Sequence, residues 1–211
     1  MSVQGGYTEF PTLISPLWIQ RPKIGMVVVK GLFEPFGSSP KTNEFNQGKS
    51  DHWVMIITTF GLQNRDAERL MSFCLKVGLY GKVAIQPTLF LPPGSDGERI
   101  SQPNPLVNGA SQTGNGTINY DGATPSTSVI EDGQFFQIDK QLLQCNLDEN
   151  SNVSGIGTIK FSPNLRSSPA NDAVIDINTP FLHALLLNLP EVDIVKGAKT
   201  PPITLAFMED I

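Results

Sequence analysis

Only one stretch of this chain, residues 64–77, carries apolar residues at the three- and four-residue spacing of a helix. The other apolar runs are short, rich in β-branched residues and bounded by Gly or Pro. Ala67, Leu70, Met71, Cys74 and Val77 make the helical stripe, while Arg65, Asp66, Glu68, Arg69 and Lys76 lie mostly off it. Asn64 is placed to cap the start of this helix and Gly78 its end. With 19 Gly and 17 Pro in 211 residues, and 17% charged residues, the chain favours many short elements joined by turns. The expected fold is mainly β with one helix, whose packing face (Leu70, Met71, Cys74, Val77) covers one side of a sheet.

The strands follow from alternation. KIGMVVVKGLF at 23–33 reads as one, followed by a loop at 34–50. In DHWVMIITTF at 51–60, Trp53, Met55, Ile57 and Thr59 alternate with His52, Val54, Ile56 and Thr58. Both faces are largely apolar, so this strand is either central and covered on both sides or has an outer face used for association. Trp53, Met55 and Ile57 are the candidate residues for that covered or associating face. KVAIQPTLFL at 82–91 is interrupted by Pro87, which implies an edge or a bulge. FLHALLLNL at 181–189, between Pro180 and Pro190, is too short for an ordinary helix and reads as a strand; ITLAFM at 203–208 is the terminal one. Residues 1–22 are Pro-punctuated and irregular, an extended arm whose Leu13, Ile14, Leu17, Trp18 and Ile19 pack on the chain's own core or on a neighbour.

A composition change divides the chain. PPGSDGERISQPN at 92–104 is polar and breaker-rich, and the elements of 105–177 are short and strand-like: PLVN, GTINY, QFFQI, QLLQC, IGTIKF and AVIDI. These fit a small barrel or sandwich, with 146–155 as an exposed hairpin loop and 162–172 as a second long turn. Residues 104–177 hold 8 acidic and 3 basic residues, and the remainder 12 of each, so the central segment carries the whole net charge of -5. The resulting organisation is an inserted unit at 104–177 within an outer unit made of 1–103 and 178–211.

The chemistry of common enzyme classes finds no foothold. His52 and His183 each sit in an apolar strand-like run without a nominated nucleophile, and Cys74 and Cys145 fall in buried patterns as free thiols. Asp148 and Glu149 read as a solvated turn without calcium-loop spacing, and Gly155-Ile156-Gly157 lacks the third glycine and helix of a dinucleotide site. No catalytic, cofactor-binding or metal residue is therefore assigned, and no cofactor is expected. The absence of a Lys/Arg cluster disfavours a grip on phosphate backbones. No apolar run is long enough for a membrane span, and MSVQGGYTEF lacks the basic and apolar regions of a signal peptide, so a cytoplasmic site of synthesis is expected.

The order of segments resembles a known family. PLVNGASQTGNGTINYDG at 105–122, STSVIEDGQFFQIDKQLLQC at 126–145 and GTIKFSPNLRSSPANDAVI at 157–175 resemble the central part of the distal tail proteins of siphophage-type tailed bacteriophages. WVMIITTFGLQNRDAERLMSFCLKVGLYGKVAIQP at 53–87 and PPITLAFMEDI at 201–211 are similar in layout. The likeness covers most of residues 50–211. The first 50 residues depart from it, and FLHALLLNLPEVDIVKGAK at 181–199 is more apolar than the family's segment.

The resemblance implies a tail-tube-like β-sheet domain closing with five copies of itself into a hexameric ring, with an inserted OB-like barrel facing outwards. The implied role is a late-made virion structural subunit of the tail tip, joining the tail tube to the baseplate or adhesion device. Its partners would be the tail-tube protein, the baseplate hub or tail-fibre proteins, with DNA only as passing cargo. Trp53, Met55 and Ile57 would then face the ring interface or lie under cover. Alternatives are a tail-tube protein stacking in many rings, or a receptor- or carbohydrate-binding insert, for which Tyr120 is the only Tyr or Trp platform in 104–177.

Overall fold

The computed structural model describes residues 3–4, 6–9, 23–28, 51–59, 62–86, 102–109, 112, 116–190 and 199–210. The apolar arm residues 13–19, the loop 34–50, Pro87 and most of the connection 92–104 lie outside the described residues.

In chain order the elements are β1 (Val3–Gln4), β2 (Tyr7–Glu9), β3 (Lys23–Val28), β4 (Asp51–Thr58), α1 (Asn64–Val77) and β5 (Lys82–Ile85). The central segment supplies β6 (Leu106–Val107), β7 (Thr117–Asp121), β8 (Ser128–Ile130), β9 (Phe135–Ile138), β10 (Gln141–Cys145), β11 (Glu149–Asn150), β12 (Gly157–Ser162) and β13 (Ile175–Asp176). The chain ends with β14 (Leu182–Leu186) and β15 (Thr204–Glu209). The fold is mainly β, and α1 is the only helix among the described residues.

Seven of these strands form one sheet in the order β1-β2-β5-β14-β15-β4-β3. It is antiparallel except where β2 runs parallel to β5. Its strands come from both ends of the chain, whereas those of the second sheet, β13-β9-β10-β12-β7-β6, come only from the middle. A bridge between Leu106 and Val174 brings the first strand of this second sheet to its last. Backbone bonds from Val107 N–H to Ala173 O (2.9 Å) and from Ile175 N–H to Pro105 O (2.9 Å) reinforce that contact, so the sheet is a nearly closed barrel. The segment 146–155, expected as an exposed loop, contributes β11, which pairs with β8 at the barrel's rim.

The helix cap lies one residue earlier than expected: Gln63 is the N-cap, without a side-chain capping bond, and Asn64 is already helical. Gly78 ends it, its N–H donating to Cys74 O at 2.8 Å. The buried stripe is Ala67, Leu70, Phe73 and Cys74, with Val77 packed at its margin. Met71, placed on the expected packing face, is half-buried, whereas Phe73, left off that face, is fully buried. The cause is angular. With Leu70 central, Phe73 lies about 60° to one side and Met71 about 100° to the other.

Two cores result. In the first, α1 packs with Met55, Ile57, Val83, Ile85, Leu205 and Phe207 of the seven-stranded sheet. The second fills the barrel with Ile118, Tyr120, Phe136, Leu143, Ile159 and Phe161. Strand alternation joins them: β9 sends Phe136 and Ile138 into the barrel, while its Phe135, with Leu142 of β10, belongs to the first core.

Candidate functional site at the seam of the two sheets

Trp53, Met55 and Ile57 point inwards from β4 and are 4%, 0% and 0% exposed, so within a single chain this face is already covered. Trp53 reaches furthest across the seam. Its Nε1–H donates to Leu142 O of the barrel at 2.8 Å, and its ring meets Phe135 edge-on at 5.3 Å. A buried indole needs such a partner for its N–H.

The same strand alternation that buries Leu205 and Phe207 carries Glu209 inwards. Its carboxylate has no exposed side-chain surface, yet it is fully engaged. Arg166, on the long turn after β12, donates from both terminal nitrogens, at 2.9 Å to Oε1 and 2.6 Å to Oε2. The backbone N–H of Trp53 adds a third bond, at 3.1 Å. This two-pronged ion pair therefore bolts the barrel's turn to the last strand of the other sheet.

Beside it, Gln137 of β9 accepts from Phe181 N–H at 2.8 Å and donates to Asp139 O at 2.7 Å. These two bonds fix which end of the amide is nitrogen. The amide nitrogen lies 3.4 Å from Nε2 of His183, a residue only 5% exposed. Nε2 is therefore placed to accept, which assigns the imidazole proton to Nδ1, an atom buried without a partner among the described residues.

On the other side of His183 stands Tyr7, their rings 4.4 Å apart. The Tyr7 hydroxyl donates to Asp210 Oδ2 at 2.6 Å, and Lys82 Nζ lies 2.7 Å from the same oxygen. Burial opposes ionisation of Asp210, but the bonds from Lys82 and Tyr7 outweigh it and hold the carboxyl below its ordinary value. Burial and then the hydrogen-bonded Asp210 push the Tyr7 hydroxyl up. Lys82 and Lys140 both place Nζ over the Tyr7 ring, at 5.2 and 5.6 Å. Tyr7, Lys82 and Asp210 face Lys140, Gln141 and Arg166 across a cleft of about 500 Å³.

Neither thiol is poised to react: burial pushes the Cys74 thiol up to about 11 and also raises Cys145, whose Sγ donates to Leu147 O at 3.0 Å. Among the described residues no group of three or more His, Cys, Asp or Glu side chains could hold a metal ion. Asp148 and Glu149 are engaged locally, accepting from Asp132 N–H at 2.7 Å and Thr158 N–H at 3.1 Å. No described helix is long and apolar enough to cross a membrane.

The reverse side of the seven-stranded sheet is different. His52, Val54, Ile56 and Thr58 are only half-buried. Register places Leu185 beside Met208 and Met208 beside Val54, with Ala206 beside Ile56 in a parallel row, and all five are half-buried. The sequence leaves β4 as either a strand covered on both sides or one with an associating outer face, and it does not point to the seam cluster of Arg166, Glu209, Gln137, His183 and Tyr7. One signal was legible: Leu205, Phe207 and Glu209 share a face, so an inward carboxylate demanded a cation.

No known family's sequence model matches the chain, and no curated protein sequence matches it.

Proposed function

We propose that this chain is a structural subunit of a phage tail tip. Its seven-stranded, tail-tube-like sheet closes as a hexameric ring, and its OB-like barrel is carried on the outside to hold neighbouring parts. The ring would join the tail tube to the baseplate or adhesion device, in a virion assembled from subunits made in the host cytoplasm. The family resemblance of residues 50–211 motivates this reading. The observation that carries it is the half-buried apolar row Leu185–Met208–Val54, with Ile56 beside it, on the face of the sheet opposite the helix. A row of this kind, continuous across neighbouring strands, is suited to burial against another subunit, and ring closure would also satisfy exposed strand edges.

The clamp at the seam supports the same reading. A subunit that transmits position from a ring to a side-mounted barrel needs the two held in one orientation, and the Arg166–Glu209 pair and the Trp53–Leu142 bond do so. The direct test is native mass measurement with imaging of the isolated protein and of tail particles. The expected species has six times the 22.9 kDa of one chain and a central opening. A monomer at all concentrations, together with particles lacking any such ring, would overturn the proposal. A large multiple of six copies per particle would instead favour the stacked tail-tube role.

A further inference from the structure

We propose that His183 is an acid-sensitive latch: protonation of its ring releases the N-terminal β1–β2 hairpin from β5 and opens that edge of the sheet. The neutral ring fits its surroundings and the charged ring does not. The orientation of Gln137 is fixed by Phe181 N–H and Asp139 O, so its amide N–H₂ points at His183 Nε2. Adding a proton to Nε2 sets donor against donor inside a site that is almost sealed from water.

Among the charges around the ring, that of Lys140 opposes protonation as well. From β5, Lys82 stands over the Tyr7 ring, and from the β9–β10 turn so does Lys140. The carboxylate nearest in register, Asp210, is already shared by Lys82 and the Tyr7 hydroxyl. Asp139 lines the cleft on the barrel side, His52 stands two strands away on β4, and Glu9 occupies the register position beside Ala84 on β2. Burial first, and Lys140 second, hold the His183 ring below its ordinary value of 6.5, with Asp210 opposing them only in part.

The sign follows from linkage. A depressed histidine binds its proton less readily in the latched state, so the latch is fully effective above about pH 6.5 and weakens as pH falls below that value. Asp210 does not blur this window, because its own contribution is lost only as pH falls below its ordinary 3.8.

Which element yields is decided by what holds it. The barrel side of His183 is secured by the buried Arg166–Glu209 pair, the Trp53–Leu142 bond and a shared core. Among the described residues the hairpin is paired to β5 at two positions, Thr8 with Val83 and Glu9 with Ala84, with Tyr7 as a side-chain anchor. Its departure exposes both the His183 ring and the backbone groups of β5, a free edge on which another strand can pair.

The test uses the full chain. Imidazole nitrogen shifts are followed from about pH 7.5 to about pH 5, with amide exchange measured over residues 3–9 and 82–85. His183 is expected to show its proton on Nδ1 at neutral pH and to titrate below 6.5. Hairpin opening, corrected for the intrinsic pH dependence of exchange, should rise by up to about tenfold per pH unit within that window. His183→Phe should abolish this rise. An Nε2 proton at neutral pH, a titration at or above 6.5, or an unchanged acid response in His183→Phe overturns the latch. Should the variant not fold, the unaltered chain decides: hairpin exchange that does not rise in step with the His183 nitrogen titration overturns the latch.

Discussion

At Glu209 a carboxylate without exposed side-chain surface depends on Arg166 for its charge balance and in turn holds the backbone N–H of Trp53. Removing one partner of such a pair leaves a buried charge, which costs about 3–5 kcal/mol, whereas replacing both is often nearly neutral. Arg166→Met should therefore lower the unfolding free energy by about that amount. Adding Glu209→Gln or Glu209→Leu should each recover part of it, short by about 1–3 kcal/mol, because Gln keeps an acceptor for the Trp53 N–H but brings buried amide donors, and Leu leaves the Trp53 donor orphaned. Urea unfolding of the three variants measures this. If Arg166→Met is as stable as the parent, Arg166 and Glu209 do not act as a clamp.

At the scale of elements, periodicity was readable wherever one face is buried against the chain's own core. Residues 64–77 form α1, and the runs beginning at 23, 51, 82, 116, 134, 141, 156, 181 and 203 all contain strands. What periodicity could not show were the shortest pairings. β8 and β11 hold only three and two residues, too few to display alternation, and are set by local polar bonds. Asn152, for example, accepts at Oδ1 from Ser154 N–H at 2.8 Å and Ile156 N–H at 3.1 Å. The seam was illegible for a related reason: Arg166 and Glu209 are 43 positions apart and meet only once the barrel is closed and docked. Gly155 illustrates how tight the local turn is, since it has φ +75° and a Cβ there would come within 2.3 Å of Ala123 O. Gly78 has a similar φ of +74° but open space around it. Gly78→Ala should thus cost about 1 kcal/mol from backbone strain alone, and Gly155→Ala at least about 2 kcal/mol more. Thermal unfolding ranks the two, and equal effects would mean that the Ala123 contact is easily relieved.

For the whole molecule, β4 has one face buried in the core and one half-buried face that the proposed ring would use, and substitutions on the two should separate folding from assembly. Met55 and Ile57 have no exposed surface, so a charge at either position should prevent folding and reveals nothing about assembly. Ile56 lies one residue along, on the half-buried reverse face beside Ala206. A lysine there can lay its methylene stem over the sheet and keep its ammonium in water, so the single chain should stay within about 0.5 kcal/mol of its original stability. In a closed ring the same ammonium would meet the neighbouring subunit's apolar surface without a partner, at a cost of several kcal/mol repeated at every interface. Ile56→Lys should accordingly yield a folded chain that sediments as a monomer under conditions where the proposal has the parent forming rings. Intact rings from Ile56→Lys would move the subunit contact off this face, to surfaces such as the exposed Leu75, Leu79 and Tyr80 at the end of the helix.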